Sequence, residues 1–110
     1  MHIVLPVDGS DYTARAAQVL VQQAEAYKEP PRITLLTVAL PIGTPLARSQ
    51  LSRATLDEYY RDVSAQALAP AEESLKQAGL TFESHFVVGD PAEQIAAEVK
   101  RLQPDLLIMG

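Results

Sequence analysis

Apolar stretches alternate with segments of helical period along this chain. Residues 3 to 7, Ile-Val-Leu-Pro-Val, are apolar on both faces of an extended segment, the mark of a parallel strand covered by helices on both sides. Pro6 argues against a central strand, because proline removes a ladder donor. The conflict eases if pairing is already ending there, so that Pro6 and Val7 form a lip above the sheet. Ser10 then reads as the N-cap of a helix from Asp11 to Lys28, with Asp11 near the positive end of the helix dipole. Ala17, Leu20, Val21, Ala24 and Tyr27 fall on one face of that helix, and Glu29-Pro30-Pro31 stops it.

Arg32 to Leu40 is a second strand, again apolar on both faces and so internal. Pro41 to Ser52, with Pro41, Gly43 and Pro45, is a loop at the carboxyl end of that strand and a candidate lid or partner surface. In the long helical stretch that follows, Thr55-Leu56-Asp57-Glu58 fits a capping box. Leu56, Tyr60, Val63, Ala67, Ala71, Leu75 and Ala78 give its apolar stripe, and Gly79 its C-terminal cap. Pro70 should interrupt and bend it. Thr81 to Val88 alternates, with a largely polar face, as an edge strand does. Asp90-Pro91-Ala92-Glu93 opens a helix with a cap, a first-position proline and an acidic first turn. Ile95, Ala96, Val99 and Leu102 are its expected buried face. Gln103-Pro104 ends it, and Asp105 to Gly110 is a fourth strand, apolar on both faces.

This alternation predicts an α/β fold, a three-layer α/β/α arrangement on an open parallel sheet with right-handed crossovers. With the third strand at an edge, the simplest strand order is 3-2-1-4. Strands one and four then flank the switch point, where open α/β sheets hold ligands. Ligand groups are expected from Val7, Asp8, Gly9 and Ser10 and from Met109 and Gly110, with Val38 to Leu40 to one side. The fourth strand reads as internal yet nothing follows it, so a partner strand or a continuation of the fold is expected along its outer edge.

Composition narrows the chemistry. Hydrophobic residues make up 47% and charged residues 21% of the 110, a globular balance that suits one domain over residues 1 to 110. The net charge is −5 and the basic residues form no stripe or tail, which argues against nucleic acid. There is no cysteine, and His2 and His85 are the only histidines, so neither a thiolate centre nor a metal site is expected. His85 reads as a half-exposed strand residue. No apolar run approaches the roughly 20 residues that span a bilayer, and no secretory signal is seen; a cytoplasmic location is the default expectation. Ser10 and Ser49 have no recognisable base partner, Glu25, Glu29, Glu72 and Glu73 read as solvated helix faces, and Tyr59 and Tyr60 as core and rim of a helix.

The three-glycine dinucleotide turn is absent between strand one and its helix, where Asp8-Gly9-Ser10-Asp11-Tyr12-Thr13 supplies one glycine, so phosphates are not expected there. A carboxylate at that place suits a hydroxylated group such as ribose. It equally suits a turn residue that helps Ser10 cap the helix. Gly110 reads as a strand-ending glycine or the start of a ligand loop.

Three segments together resemble the universal stress protein family: Ile3 to Ser10 with Ala16-Ala17 following, Val88-Gly89-Asp90-Pro91 with Ile95, and Asp105 to Gly110. The resemblance implies a five-stranded parallel sheet in order 3-2-1-4-5, of which this chain would lack the fifth strand and last helix, leaving the domain incomplete at its C-terminus. A subset of such proteins bind ATP. By resemblance, Pro6, Val7 and Asp8 would line the nucleoside, with Asp8 on the ribose, Val38 would lie against adenine, and Met109 and Gly110 would begin the binding loop. Of the glycines in that subset's phosphate loop, Gly110 alone is present.

The resemblance therefore implies a stress-response or signalling protein whose complete fold has an adenine-nucleotide site. ATP, with magnesium if bound, should bind weakly or not at all to this chain. The function is expected to run through ligand state and homodimerisation or higher self-association rather than catalysis; slow ATP hydrolysis by the complete protein stays open. The alternative is a dimeric interaction protein of the same family that binds no nucleotide. An enzyme of the wider superfamily would need a phosphate loop near strand one and acid–base residues that are not found.

Overall fold

The computed structural model describes residues 1–109. The elements run β1 (His2–Pro6), α1 (Asp11–Ala24), β2 (Arg32–Ala39), α2 (Pro45–Ser49), α3 (Arg53–Gln77), β3 (Phe82–Val88), α4 (Pro91–Leu102) and β4 (Leu106–Leu107). All strands pair in parallel, in the order β3-β2-β1-β4, so the α/β class and the strand order agree with the sequence. Right-handed crossovers put α1 and α3 on one face of the sheet and α4 on the other.

The main core lies on the first of these faces. Ile3, Leu5, Val7, Ile33 and Leu35 of the sheet meet Ala17 and Leu20 of α1 and Leu68, Ala71 and Leu75 of α3, all buried. The small residues Ala17 and Ala71 bring the helices close to the strands, and the leucines fill the space between. On the opposite face Val4, Thr34 and Leu36 are fully buried, but no residue of α4 is, and Ala96 is exposed where burial was expected. Among the described residues α4 is the only helix on its face of the sheet, whereas α1 and α3 also shelter each other.

β4 is much shorter than the expected strand from Asp105 to Gly110. It pairs only through Ile3↔Leu106 and Val4↔Leu107, with one further bond from Ile108 N–H to the Val4 carbonyl, 3.1 Å. Pro6 accounts for the stop. The Val4 carbonyl faces β4 and the Val7 N–H faces β2, donating to Leu36 at 2.7 Å. N–H groups of even-numbered β1 residues therefore point to β4, and the next one belongs to a proline, which has none. Leu107 is 37% and Met109 60% exposed at this edge. Gly110 lies outside the described residues.

Several helix details differ from expectation. α1 ends at Ala24, not Lys28, and tightens into bonds from Ala26 to Gln23 and from Tyr27 to Ala24, three-residue closures typical of a fraying end. α3 starts earlier than the expected Thr55 cap: Ser52 is the N-cap and accepts from the Thr55 N–H at 3.1 Å, which adds a turn of backbone bonding. α3 also continues through Pro70, on the exposed side, where the lost N–H costs one internal bond. Its buried face is Tyr60, Ser64, Leu68, Ala71 and Leu75, while Val63 and Ala78 are exposed. A stripe chosen by hydrophobicity alone passes over a serine, and so its register is misread. The 41 to 52 segment contains α2, capped by Thr44.

His2 ties the sheet's lower end together. Its N–H donates to Asp105 Oδ2 at 2.7 Å and its Nε2 lies 2.8 Å from Thr34 Oγ1. Burial first, and the Arg32 guanidinium second, hold its pKa below the usual value. The folded state thus binds fewer protons than the unfolded chain. This part of the stability is present above pH of about 6.5 and is lost as pH falls through the lower folded value. Thermal melts should show a fall in midpoint below neutrality that His2→Gln removes. Leu75→Ala, at a fully buried site, should cost about 2–5 kcal/mol in chemical denaturation.

Candidate functional site

The β1–α1 turn positions the site. Gly9 has φ +82°, and a Cβ there would meet the Ala67 Cα of α3 at 3.2 Å, so glycine lets the turn lie flat on α3. Ser10 caps α1, accepting from the Thr13 N–H at 3.4 Å. Asp8 Oδ1 accepts from the Ser10 N–H at 2.9 Å and the Thr13 hydroxyl at 3.1 Å. The capping role and a ligand role for Asp8 are therefore compatible: one oxygen is fixed in the turn, and Oδ2 has no hydrogen-bond partner among the described residues. The Ser10 hydroxyl, then its N–H, then Thr13 hold the carboxyl below the usual aspartate range, so it is a carboxylate at neutral pH.

That carboxylate stands at one wall of a cleft of about 210 Å³ lined by Pro6, Val7, Asp8, Thr13, Leu36, Val38, Pro91, Ile95 and Met109. Pro6, Val7, Asp8, Val38 and Met109, singled out in the sequence, are thus brought together; Gly110 falls outside the described residues. Gly9 and Ser10 shape the turn and do not line the cleft. Thr13, Leu36, Pro91 and Ile95 were not foreseen. Thr13 could have been found from its place one helical turn after an Asx-type turn, whereas Leu36, Pro91 and Ile95 reach the cleft only through packing.

A second cleft of about 400 Å³ adjoins the first, sharing Asp8, Val38 and Pro91. Its floor is Thr37 and Ala39 of β2, and its far wall is Tyr59, Val63, Ser64 and Ala67 of α3, with Leu40 at the rim. Ser64 is 2% exposed, and its hydroxyl has no hydrogen-bond partner among the described residues. The 41 to 52 segment is strapped down beside this cleft. Tyr60 Oη accepts from the Ile42 N–H at 3.0 Å, and Arg48 donates to the Ile42 and Gly43 carbonyls at 3.0 and 2.9 Å.

The geometry is that of an apolar slot with one oriented carboxylate at the carboxyl ends of β1 and β2, the place where such sheets receive ligands. The sequence matches the family model described as "Universal stress protein family" across residues 1–110. This chain belongs to the universal stress protein family.

Among its universal stress protein relatives is one from Methanocaldococcus jannaschii, 26% identical over 109 residues, which span 98% of this chain and 62% of that protein. The chain thus covers under two thirds of the length of that curated relative. A solved universal stress protein in complex with cAMP is 27% identical, with a TM-score of 0.69 over 98% of this chain and 74% of its own. The UspA protein of Lactobacillus plantarum, 21% identical, superposes with a TM-score of 0.76 over 100% of this chain and 76% of its own, a likeness of fold. No helix among the described residues is long and apolar enough to cross a membrane.

Removing the Thr13 hydroxyl tests the orientation of Asp8. In Thr13→Val the Asp8 carboxyl should titrate at a higher pH than in the parent, followed by its side-chain carboxyl carbon resonance. Stability near pH 4 should fall with it, because the contribution of a depressed carboxylate is present above the unfolded pKa and lost as pH falls through the folded one.

Proposed function

We propose that this universal stress protein domain binds the nucleoside portion of an adenine nucleotide, as part of a stress-response or signalling function exerted through ligand state rather than turnover. The observation that carries the reading is the tethered Asp8 carboxylate beside an apolar slot. With Oδ1 held by Ser10 and Thr13, Oδ2 is free to accept from a ribose hydroxyl, while Pro6, Val38 and Met109 offer surfaces for a flat base. The relative solved with cAMP supports the choice of an adenine compound. ATP, with or without magnesium, adds little over the nucleoside here, because the described cleft has no cation to meet a phosphate: its lining residues are apolar apart from Asp8 and Thr13. The protein works as a homodimer in the cytoplasm.

A second reading, a dimeric interaction protein that takes no nucleotide, draws on the unpaired edge of β4 with Leu107 and Met109 exposed. Amide chemical-shift titration separates the two. Millimolar adenosine should move resonances of Val7, Asp8, Thr13 and Val38, with ATP no tighter than adenosine. Asp8→Asn should weaken adenosine about 10- to 100-fold, the loss of a hydrogen bond to a charged group worth about 1.5–3 kcal/mol. An unchanged spectrum at saturating ligand would overturn the nucleoside reading in favour of the second, whereas a dimeric mass is expected under both.

A further inference from the structure

Among the described residues, the outer edge of β3 is the longer of the sheet's two free edges. Its ladder with β2 runs unbroken from Ile33↔Phe82 to Ala39↔Val88, and β3 is last in the strand order. Edge strands are commonly protected from pairing by lysine, proline, a bulge or shortness, and this seven-residue strand has none of these. The Gly89 N–H donates to the Ala39 carbonyl of β2 at 3.0 Å. Backbone groups alternate in direction along a paired strand, so those of Glu83, His85 and Val87 also turn to β2. Those of Phe82, Ser84 and Phe86 point outward, away from the sheet.

The side chains along this edge are self-complementary. Phe82-Glu83-Ser84-His85-Phe86 reads as aromatic, acid, small polar residue, imidazole, aromatic. Laid antiparallel against a second copy about Ser84, the strand sets Phe82 opposite Phe86 twice, Glu83 opposite His85 twice, and Ser84 opposite its own copy. In this register the outward-facing residues meet one another as pairs that each exchange two N–H···O bonds, about six bonds in all. Aromatic pairs and opposite charges are favourable cross-strand combinations. Centring the pairing on His85 instead sets His85 opposite its own copy and Glu83 opposite Val87, which discards both.

The side chains concerned are accessible. Phe86 lies on the α3 face, in register with Thr37, yet is 40% exposed, because α3 packs chiefly on β2. Glu83 and His85 are exposed on the α4 face, in register with Thr34 and Leu36, with the Arg32 guanidinium 3.5 Å from the carboxylate. Within one chain His85 Nε2 is 3.7 Å from Glu83 Oε2, too long for a hydrogen bond, whereas a carboxylate directly opposite can accept from the imidazole in either charge state. On the α3 face, Glu72 accepts from the Ser84 hydroxyl at 2.7 Å. It approaches its own copy near the axis, a like-charge contact set against the two Glu83–His85 pairs.

We propose that β3 is the self-association surface of this protein, pairing antiparallel with β3 of a second copy about a two-fold axis at Ser84. The proposal rests on the homodimer of the reading above and is independent of nucleoside binding. It assigns the contact to the β3 edge and not to the edge of β4.

Sedimentation equilibrium and amide hydrogen exchange of the 110-residue chain, each at several protein concentrations, provide the test. The mass should become dimeric as concentration rises, and exchange should slow with it at Phe82, Ser84 and Phe86, while Glu83, His85 and Val87 are protected by β2 throughout. His85→Glu, which sets two carboxylates opposite each other twice, should weaken the dimer about tenfold or more. Adding Glu83→Lys to that variant should restore it, because the register opposes positions 83 and 85, and Glu72→Gln in the parent should tighten it. A dimer of unchanged affinity in His85→Glu, a double variant as weak as the single one, or protection rising at Leu107 and Ile108 in place of β3 would overturn the β3 surface while leaving the homodimer standing. A parent that stays monomeric at every concentration would overturn the homodimer and this surface together.

Discussion

The structure depends on one strand being buried on both faces and paired on both edges. β1 has β2 on one side and β4 on the other, with Ile3, Val4 and Leu5 fully buried. From Ile3 to Pro6 such a strand is closed to water, His2 alone being partly exposed at its amino end. Beyond that buried run, its carboxyl end is the next point at which a polar group can emerge, and Asp8 emerges there. Pro6 sharpens the transition. By withholding an N–H on the β4 side it ends pairing with β4 while Val7 still bonds β2, so the lip of the cleft is asymmetric and opens toward Met109.

The arrangement of layers was legible because its determinants are local. Doubly apolar strands, helix caps at Ser10 and Asp90, and the polar alternation of β3 each act over a few residues, and together they leave little choice of strand order. Pro6, Val7, Asp8, Val38 and Met109 converge because strand order and parallel register force their strand ends to one place. The register of α3 was not legible in the same way. Its buried face includes Ser64 and leaves Val63 exposed, since the face is selected by contact with β2, β3 and α1 and not by the stripe's own hydrophobicity. The start of α3 was missed for a related reason: Ser52 and Thr55 both have capping side chains, and the earlier one gives the longer helix. Pro91 and Ile95 reach the cleft from an α4 whose position is set by the crossover, which local patterns do not encode.

The two faces of the sheet also carry different duties. α1 and α3 form a continuous layer with the buried leucines, and the β1–α1 turn is pressed on that layer through Gly9 and Ala67. α4, half-buried at best, contributes Pro91 and Ile95 to the cleft from the less consolidated side. The wall bearing Asp8 is thus the more tightly packed of the two, and the wall bearing α4 the less buried.

Fixing Asp8 in this way has an energetic consequence for recognition. An exposed carboxylate on a flexible loop loses rotamer freedom when it binds, and that loss offsets part of each new hydrogen bond. Here Ser10 and Thr13 have already ordered the side chain in the unliganded fold, and the same two donors keep it ionised. Helix capping and ligand orientation are therefore one arrangement. The interactions that start α1 are those that aim Oδ2 away from the turn, and a sequence able to begin that helix with Asp8, Ser10 and Thr13 has prepared an acceptor at the end of its central strand.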